Sequence, residues 1–466
     1  MANQKYDLIV IGSGPAGEKG AAQAAYFGKR VALIEKQPVL GGAAANTGTI
    51  PSKTLRETAL YLSGFRHRGL YGIDLSLKKE LSVSDLMYRE RIVRETERSR
   101  IAENLKRHRV DLYIGTASFV DGHTISVRPE NAPEVRIEGE VILIATGSYP
   151  YRPPQFPFHD PRVYDSDTIL TLRSMPRTVL TAGAGVIGSE YACIFSALGI
   201  DVTLVDGRPE LLPFLDAQVS SCLKSSMEAA GVCTMMPDQV ETVAPTPEYV
   251  EVQLQSGSRV RVDAILVAAG RNGNTQALGL DKIGVETGKR GHVEVNERYQ
   301  TSLPHVYAAG DVIGFPALAS TSMEQARIAM VHAFDLKYKT DLTHILPLGI
   351  YTIPECSAAG ETEQSAKEKN IPYVVGKTFY ETNARGQIIG EQGAFLKLIF
   401  QREDLKVIGV HVIGEQATDL VHVGLTAMLM GAGADVFINT CYNFPTLGEM
   451  YKYATYDALG KKAQSA

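Results

Sequence analysis

A glycine-loop unit occurs twice in this chain, and no other feature limits its fold so sharply. Residues 5–35 (KYDLIVIGSGPAGEKGAAQAAYFGKRVALIE) pass from an apolar, β-branched run through glycines into an Ala-rich helical pattern, then into a second apolar run tipped by an acid. Residues 177–206 (RTVLTAGAGVIGSEYACIFSALGIDVTLVD) do the same. A strand–turn–helix–strand unit returns the chain across a sheet to a parallel neighbour, so two of them predict two parallel-sheet domains. Gly12, Gly14 and Gly17 form the first GxGxxG loop, and Gly183, Gly185 and Gly188 the second. The first glycine of each makes the tight turn, the second admits a pyrophosphate to the backbone, and the third lets helix pack on strand. Pro15 and Ala16, and Val186 and Ile187, open the two helices, where a phosphate meets the positive end of the helix dipole. Glu35, with Lys36 beside it, and Asp206 each lie 21 residues past the middle glycine, placed to accept ribose hydroxyls. A lone GxGxxG is weak, but its strand, helix and terminal acid make each unit a dinucleotide site. Two such sites imply one bound flavin and one exchangeable nicotinamide.

The remaining pattern assembles around these units. Residues 52–110 read as a helical excursion rich in Arg and Glu, and VILIATG (141–147) as a buried strand ending in a turn. The Pro-rich stretch from Tyr149 to Pro157 reads as an interdomain crossing, AILVAAGR (264–271) as the closing strand of the second domain, and TSLPHVYAAGD (301–311) as a return to the first. From about residue 343, YVVGKTFYE, FLKLIFQ and KVIGVHVIG alternate as strands before a helical end. The expected fold is α/β with two Rossmann-like domains, residues 1–150 with 272–342 and residues 151–271, followed by an α+β domain at 343–466. The 466 residues suffice for three domains, and the net charge of −5 argues against charge-driven binding of nucleic acid or an anionic membrane. The apolar stretch Val421 to Ile438 contains His422, Asp435 and three glycines, so it reads as a packed helix and not a membrane span. A strand-like run starting at Tyr6 leaves no room for a signal peptide, and a cytoplasmic location is expected. Cys193, Cys222, Cys233, Cys356 and Cys441 form no CxxC or CxxxxC motif; each is expected as a small buried hydrophobe in a reducing compartment. His305, His411 and His422 read as structural, with no metal-ligand spacing.

GSGPAG (12–17), GG…TIPSK (41–53), ATG (145–147), GAGVIGSE (183–190), AAGRNGNT (268–275) and TSLPHVYAAGD (301–311) together resemble the disulfide-reductase flavoprotein family, such as dihydrolipoamide dehydrogenase and glutathione reductase. The resemblance covers essentially the whole chain. It implies FAD at the first loop, with Asp311 on the ribitol chain and Gly42, Gly48, Thr49, Ala117, Thr146 and Gly147 among its contacts. It implies Lys53 beside flavin N5 with Glu190 as its ion-pair partner. The segment FPALASTSMEQAR implies a helix whose first amides, near Leu318, Ala319 and Ser320, face the flavin pyrimidine edge; an ordinary helix capped by its own hydroxyls is the plainer alternative. For the nicotinamide dinucleotide it implies Gly270 and Arg271 in addition to the second loop and Glu190.

Two departures remove the family's thiol chemistry. The family motif GGxCxxxxCIPSK here reads GGAAANTGTIPSK, with Ala44 and Thr49 at the cysteine positions. The family's HPTxxE here reads FPTLGE, with Phe444 in place of the proton-carrying histidine, while Pro445, Thr446 and Glu449 persist in a segment implied to cross a homodimer interface. With GRNGNT followed by HVYAAGDVIGFPALAS, the chain is similar to the soluble, energy-independent pyridine nucleotide transhydrogenases, although the members of that family keep the first cysteine. This implies ping-pong hydride transfer: one reduced nicotinamide gives hydride to FAD and leaves, and another, oxidised, takes it from the same place. Asp206 favours NAD, and Arg208 two residues on offers a partner for the 2′-phosphate of NADP. An NAD(P)H oxidase, quinone or diaphorase-type reductase, and a catalytically idle redox-sensing flavoprotein, stay open as alternatives.

Overall fold

The computed structural model describes residues 4–64, 70, 81–338 and 345–464. The first unit folds as strand Gln4–Ile11, helix Pro15–Tyr26 and strand Val31–Glu35, the two strands parallel with Leu8 opposite Val31. Every residue of Val31–Glu35 is buried, because parallel strands carry helices on their faces. Strand Val135–Ile144 lies parallel on the other side of Gln4–Ile11, and Val306–Ala308 adds to it in parallel. The chain therefore leaves this sheet and comes back to it, as TSLPHVYAAGD led us to expect. Asp111–Ile114 takes the far edge, and Thr116–Phe119 and Thr124–Arg128 close the near side as an antiparallel hairpin.

The second unit, strand Thr178–Ala182, helix Val186–Ala197 and strand Asp201–Val205, centres a five-stranded parallel sheet completed by Val232–Met235, Ala264–Val267 and Val163–Asp165. A three-stranded antiparallel sheet, Val240–Pro245, Val250–Leu254 and Arg259–Val262, packs Val250, Val252 and Leu254 against Leu180 and Ile265. The Pro-rich departure and the GRNG return form one feature: Ser148–Pro150 pairs antiparallel with Arg271–Gly273 as a two-stranded bridge between the sheets. The C-terminal part is a five-stranded antiparallel sheet in the order Leu348–Ile350, Cys356–Gly360, Val407–Ile413, Phe395–Gln401, Tyr373–Phe379. Helices Ala417–Leu429 and Met450–Gln464 cover it.

The helical excursion is present as Thr49–Ser63 and Val83–Arg107, the latter opened by a capping box between Ser82 and Asp85. Residues 65–69 and 71–80 of the expected excursion, and the boundary expected at 342/343, lie outside the described residues. Two expectations need correction. The stretch Val421 to Ile438 is not one helix: Ala417–Leu429 and Ala434–Asn439 are separated by a turn that lets the chain fold back over the sheet. The cysteines are not uniformly buried. Cys193 and Cys356 are, Cys222 is half-buried, and Cys233 and Cys441 are exposed. Cys233 lies on the outermost strand of its sheet, and Cys441 in the irregular segment before Phe444, so neither has a covering layer. All five are free thiols. Among the described residues no helix is long and apolar enough to cross a membrane, and no cluster of three or more His, Cys, Asp or Glu stands ready for a metal.

One apolar core joins the helical excursion to the second parallel sheet and the C-terminal sheet. Leu55 and Ala59 from helix Thr49–Ser63, Ala192 and Phe195 from helix Val186–Ala197, and Cys356 and Phe395 from the C-terminal sheet share it. A buried ion cluster sits at the same junction: Lys397, fully buried, places its Nζ 2.9 Å from both oxygens of Asp216 and 2.5 Å from Glu363. Asp216 also caps helix Ala217–Ala229. Burial opposes its charge, but the Lys397 hydrogen bond and the nearby positive charge outweigh that and hold its carboxyl below the ordinary aspartate value of 3.8. A folded-state pKa below the unfolded one makes this contribution complete above 3.8 and lost as pH falls through the lowered value. Asp216→Asn is expected to cost roughly 2 kcal/mol of stability at neutral pH, the scale of a hydrogen bond to a charged group. In urea unfolding, its deficit against the parent narrows as the pH is lowered below 4; a pH-independent deficit would refute this account.

Candidate functional site

The two glycine loops are built alike, atom for atom in several places. Gly12 and Gly183 both have φ +106, and a Cβ on either would lie 2.3 Å from the Ala145 oxygen or 2.5 Å from the Ala268 oxygen. A Cβ on Gly17 or Gly188 would lie 1.8 Å from the Gly12 or Gly183 oxygen. These four glycines are required by the fold itself. The middle pair is different. Gly14 and Gly185 have φ −65 and −76, which any residue adopts, and a Cβ on Gly14 would meet only the Gly42 Cα at 3.9 Å while one on Gly185 meets nothing. The protein has no need of glycine there; a pyrophosphate drawn against the backbone does. Helices Pro15–Tyr26 and Val186–Ala197 have no side-chain cap, which leaves their N-terminal amides for an anion.

The acids sit where the spacing put them. Glu35 Oε2 accepts from Ser13 N at 3.0 Å and Ser13 Oγ at 2.6 Å, and Asp206 Oδ2 accepts from Ala184 N at 2.7 Å. Each acid is thus tied to the residue between the first two glycines of its loop. Ser13 also accepts from Gly41 N through its hydroxyl, which docks the GGAAANTG segment onto the first loop. Lys36 is exposed beside Glu35, and Ala117 is buried in the strand following Gly115, whose N–H donates to the Glu35 carbonyl. Asp206 is half claimed by a neighbour: Arg208 donates Nε to Oδ1 at 2.9 Å and Nη2 to Oδ2 at 2.8 Å. Burial works against the Asp206 charge, but Arg208 and the Arg208 and Ala184 amides outweigh it and keep the carboxyl below its usual range.

Around the first loop the expected flavin residues come together. A Cβ on Gly310 would lie 3.2 Å from Ala16 Cβ and 3.4 Å from Ser322 Cβ, so the turn before Asp311 wedges between helices Pro15–Tyr26 and Ala319–Ala333. Helix Ala319–Ala333 starts after Leu318 without a side-chain cap, and the hydroxyl of Ser322 turns back to the Leu318 carbonyl. The capped-helix alternative therefore does not hold, and the amides at Ala319 and Ser320 stay free of side-chain partners. Asp311 accepts from Ser148 Oγ at 2.9 Å. Gly147 is held through its carbonyl by Asn274 N at 2.9 Å, and Thr146 presents a buried Oγ1 with no partner. Such an orphaned hydroxyl beside a glycine cradle fits a ligand that completes its hydrogen bonding.

Lys53 and Glu190, 137 residues apart, meet at 2.7 and 2.9 Å. Glu190 is almost fully buried, Lys53 about a quarter exposed. Tyr351, from the C-terminal part, completes the group: its N–H donates to Glu190 Oε1 at 2.9 Å, and its ring centroid lies 5.0 Å from the Lys53 ammonium. Tyr351 carries no motif signal. Ala44 lies within the short helix Gly42–Asn46, and Gly48 precedes the helix opened by Thr49. Arg271 is held by several partners within the protein. Its guanidinium donates to Ser148 Oγ (2.8 Å), the Ser148 carbonyl (2.9 Å), Ser166 Oγ (3.1 Å) and Asp167 (3.2 Å). It braces the two-stranded bridge and, through Ser148, Asp311. Ser13, Ser148, Asn274 and Tyr351 are the residues that motif reading missed. Phe444 is 73% exposed, in line with a segment that reaches outward.

The family model for pyridine nucleotide-disulphide oxidoreductases matches residues 6–332, and the model for their dimerisation domain matches residues 346–455. The chain belongs to this family. Within it, the chain is 44% identical over 460 residues to a protein named soluble pyridine nucleotide transhydrogenase from Mycobacterium bovis (strain BCG / Pasteur 1173P2), covering 98% of both. It is 42% identical to one of the same name from Pseudomonas putida (strain W619), covering 99% of this chain and 100% of that one. Membership in the soluble transhydrogenase branch of these oxidoreductases follows. Among solved structures, LpdA from Mycobacterium tuberculosis superposes with a TM-score of 0.90 at 25% identity, covering 97% of this chain and 99% of that one. The Cu(II) complex of the HOCl-induced flavoprotein disulfide reductase RclA from Escherichia coli superposes with a TM-score of 0.88 at 26% identity, covering 97% and 99%. This oxidoreductase keeps the nucleotide frame of its family while Ala44, Thr49 and Phe444 replace the thiols and the histidine.

Proposed function

We propose that the chain transfers hydride between NADPH and NAD+, and between NADH and NADP+, by a ping-pong reaction at one nicotinamide site, with FAD and without a redox disulfide. The observation that carries this reading is a two-nucleotide frame joined to Ala44, Thr49 and Phe444 in the places of the family's two cysteines and histidine. Near-full-length identity of 41–44% to proteins named soluble pyridine nucleotide transhydrogenase supports the choice of substrates. FAD supplies the two-electron exchange with a nicotinamide that no side chain here provides. Gly12, Gly14, Gly17 and the helix behind them would hold its pyrophosphate, Glu35 its ribose and Asp311 its ribitol. Lys53, steadied by Glu190 and Tyr351, sets a positive charge beside the ring system, and the open N-terminus of helix Ala319–Ala333 adds a second positive pole. Gly183, Gly185, Gly188, Val186 and Ile187 would take the nicotinamide dinucleotide, with Asp206 and Arg208 at its adenosine ribose. The working division of the chain is 1–150 with 272–342, 151–271, and 343–466 as a homodimerisation unit in a cytoplasmic enzyme. The dimerisation-domain match and the exposed Phe444, Tyr453 and Tyr456 support the last of these.

Anaerobic turnover of NADPH with thio-NAD+ tests the reading. Parallel double-reciprocal lines and slower reoxidation by oxygen or quinones are expected. Failure of NADPH to reduce the bound flavin, or faster transfer to a quinone than to thio-NAD+, would overturn it. A dithionite titration gives a second check. With no dithiol beside the flavin, full reduction takes two electrons per FAD, and no long-wavelength thiolate-to-flavin absorbance develops. Uptake of four electrons would show a redox-active thiol pair elsewhere.

A further inference from the structure

The Arg271 guanidinium is engaged by Ser148, Ser166 and Asp167, and a second guanidinium stands at the Gly270 end of the second site. Arg290 lies so close to Gly270 that a Cβ on that glycine would be 2.8 Å from its Nη1. Its backbone is left-handed, with φ 62. Its guanidinium lies 5.9 Å from the ring centroid of Tyr151, whose N–H donates to the Gly270 carbonyl at 2.9 Å. Arg290 is exposed and forms no ion pair among the described residues. Gly270 ends the turn after strand Ala264–Val267, and the Ala268 carbonyl of that turn is the atom against which Gly183 packs. Arg290 therefore borders the crevice at the carboxyl ends of Thr178–Ala182 and Ala264–Val267, where an open parallel sheet takes its ligand.

Asp206 and Arg208 stand on the opposite flank, at the end of Asp201–Val205, which pairs with Thr178–Ala182 on the side away from Ala264–Val267. Two guanidiniums thus bracket the second glycine loop. We infer that Arg290 is a binding residue for the nicotinamide-side phosphate of the dinucleotide, an assignment that rests on the proposed nicotinamide site. A phosphate supplies the paired acceptor oxygens that this guanidinium lacks within the protein. That half of the ligand is the same in NADH and NADPH. Arg290 accordingly strengthens both nucleotides equally, whereas Arg208 meets the only part in which they differ. An enzyme that exchanges the two at one place needs both kinds of contact.

The test compares the parent with Arg290→Ala, Arg290→Lys and Lys289→Ala, the last an exposed neighbouring cation. Kd for NADH and NADPH is read from the saturation of flavin reduction, and Kd for NAD+ and NADP+ from calorimetry. R290A is expected to weaken all four ligands about tenfold with the NADPH-to-NADH ratio unchanged, R290K to recover part of the loss, and K289A to match the parent. An unchanged Kd in R290A at full FAD content, or a loss confined to one nucleotide, overturns the assignment. If neither reduced nucleotide reduces the parent's flavin, the proposed reaction fails, and calorimetry alone decides Arg290.

Discussion

Replacing Lys53 by methionine is expected to slow flavin reduction by NADPH about 10²-fold, the scale reported for loss of one preorganised electrostatic contact. The side chain keeps its length and packing, so the change isolates charge. In the present geometry the ammonium is fixed by Glu190 at 2.7 Å and by the Tyr351 ring, so it need not reorganise when negative charge builds up beside it. Removing it leaves the buried Glu190 carboxylate without its ion-pair partner. The flavin midpoint potential should fall in Lys53→Met by roughly 60 mV, the two-electron equivalent of about 2.7 kcal/mol. Glu190→Gln keeps the cation and its hydrogen bond and should show a smaller effect on both readouts. Stopped-flow reduction and a potentiometric titration at matched FAD content check this; an unaltered potential in Lys53→Met would sink the charge argument.

The second large effect concerns choice of nucleotide. Arg208→Ala is expected to weaken NADPH by about 1.5–2 kcal/mol, or roughly ten- to thirtyfold, and to leave NADH unchanged or slightly tighter. The low end applies because Arg208 is half exposed and its attraction is screened. Asp206→Asn should do the reverse. It removes the negative charge and one of the two acceptor oxygens that would take the ribose hydroxyls of NADH, and it breaks the paired hydrogen bonds to Arg208 at 2.8 and 2.9 Å, which favours the 2′-phosphate. Between the two variants the NADPH-to-NADH preference should swing by roughly 10². The pair neutralises itself within the protein, and each nucleotide would recruit one member and free the other. Steady-state kcat/KM for both nucleotides measures it, and two variants that move the preference in the same direction would show that Asp206 and Arg208 do not divide the task this way.

How far the sequence could be read differs by kind of interaction. Both βαβ units, the return strand Val306–Ala308 and the alternating C-terminal strands were legible because each is encoded by local periodicity and glycine placement. The pairing of Lys53 with Glu190 across 137 residues came from family resemblance alone; no spacing rule reaches so far. The partners of Arg271 were hidden for the same reason. Its neighbours in sequence point to a nucleotide turn, but Ser148, Ser166 and Asp167 are brought to it only when Ser148–Pro150 pairs with Arg271–Gly273. Long polar side chains find partners through tertiary geometry, and pattern does not carry that information. Cys233 was expected inside on composition, yet its strand is the outermost of its sheet, and edge position is a property of strand order. The middle glycines show the converse. The motif assigns Gly14 and Gly185 to a pyrophosphate, but only the space in front of them reveals that the protein itself does not require glycine there.

The Tyr351 amide that holds Glu190 has a consequence for how such a chain can evolve. The Lys53 charge is steadied from three separated stretches, around Lys53, Glu190 and Tyr351, and the last lies in the part matched by the dimerisation family model. Recombination that exchanges the C-terminal third between relatives, ostensibly to alter assembly, also transplants one member of this trio. If the proposed roles hold, a change made in the C-terminal part for assembly would also reach the Lys53–Glu190 pair through Tyr351.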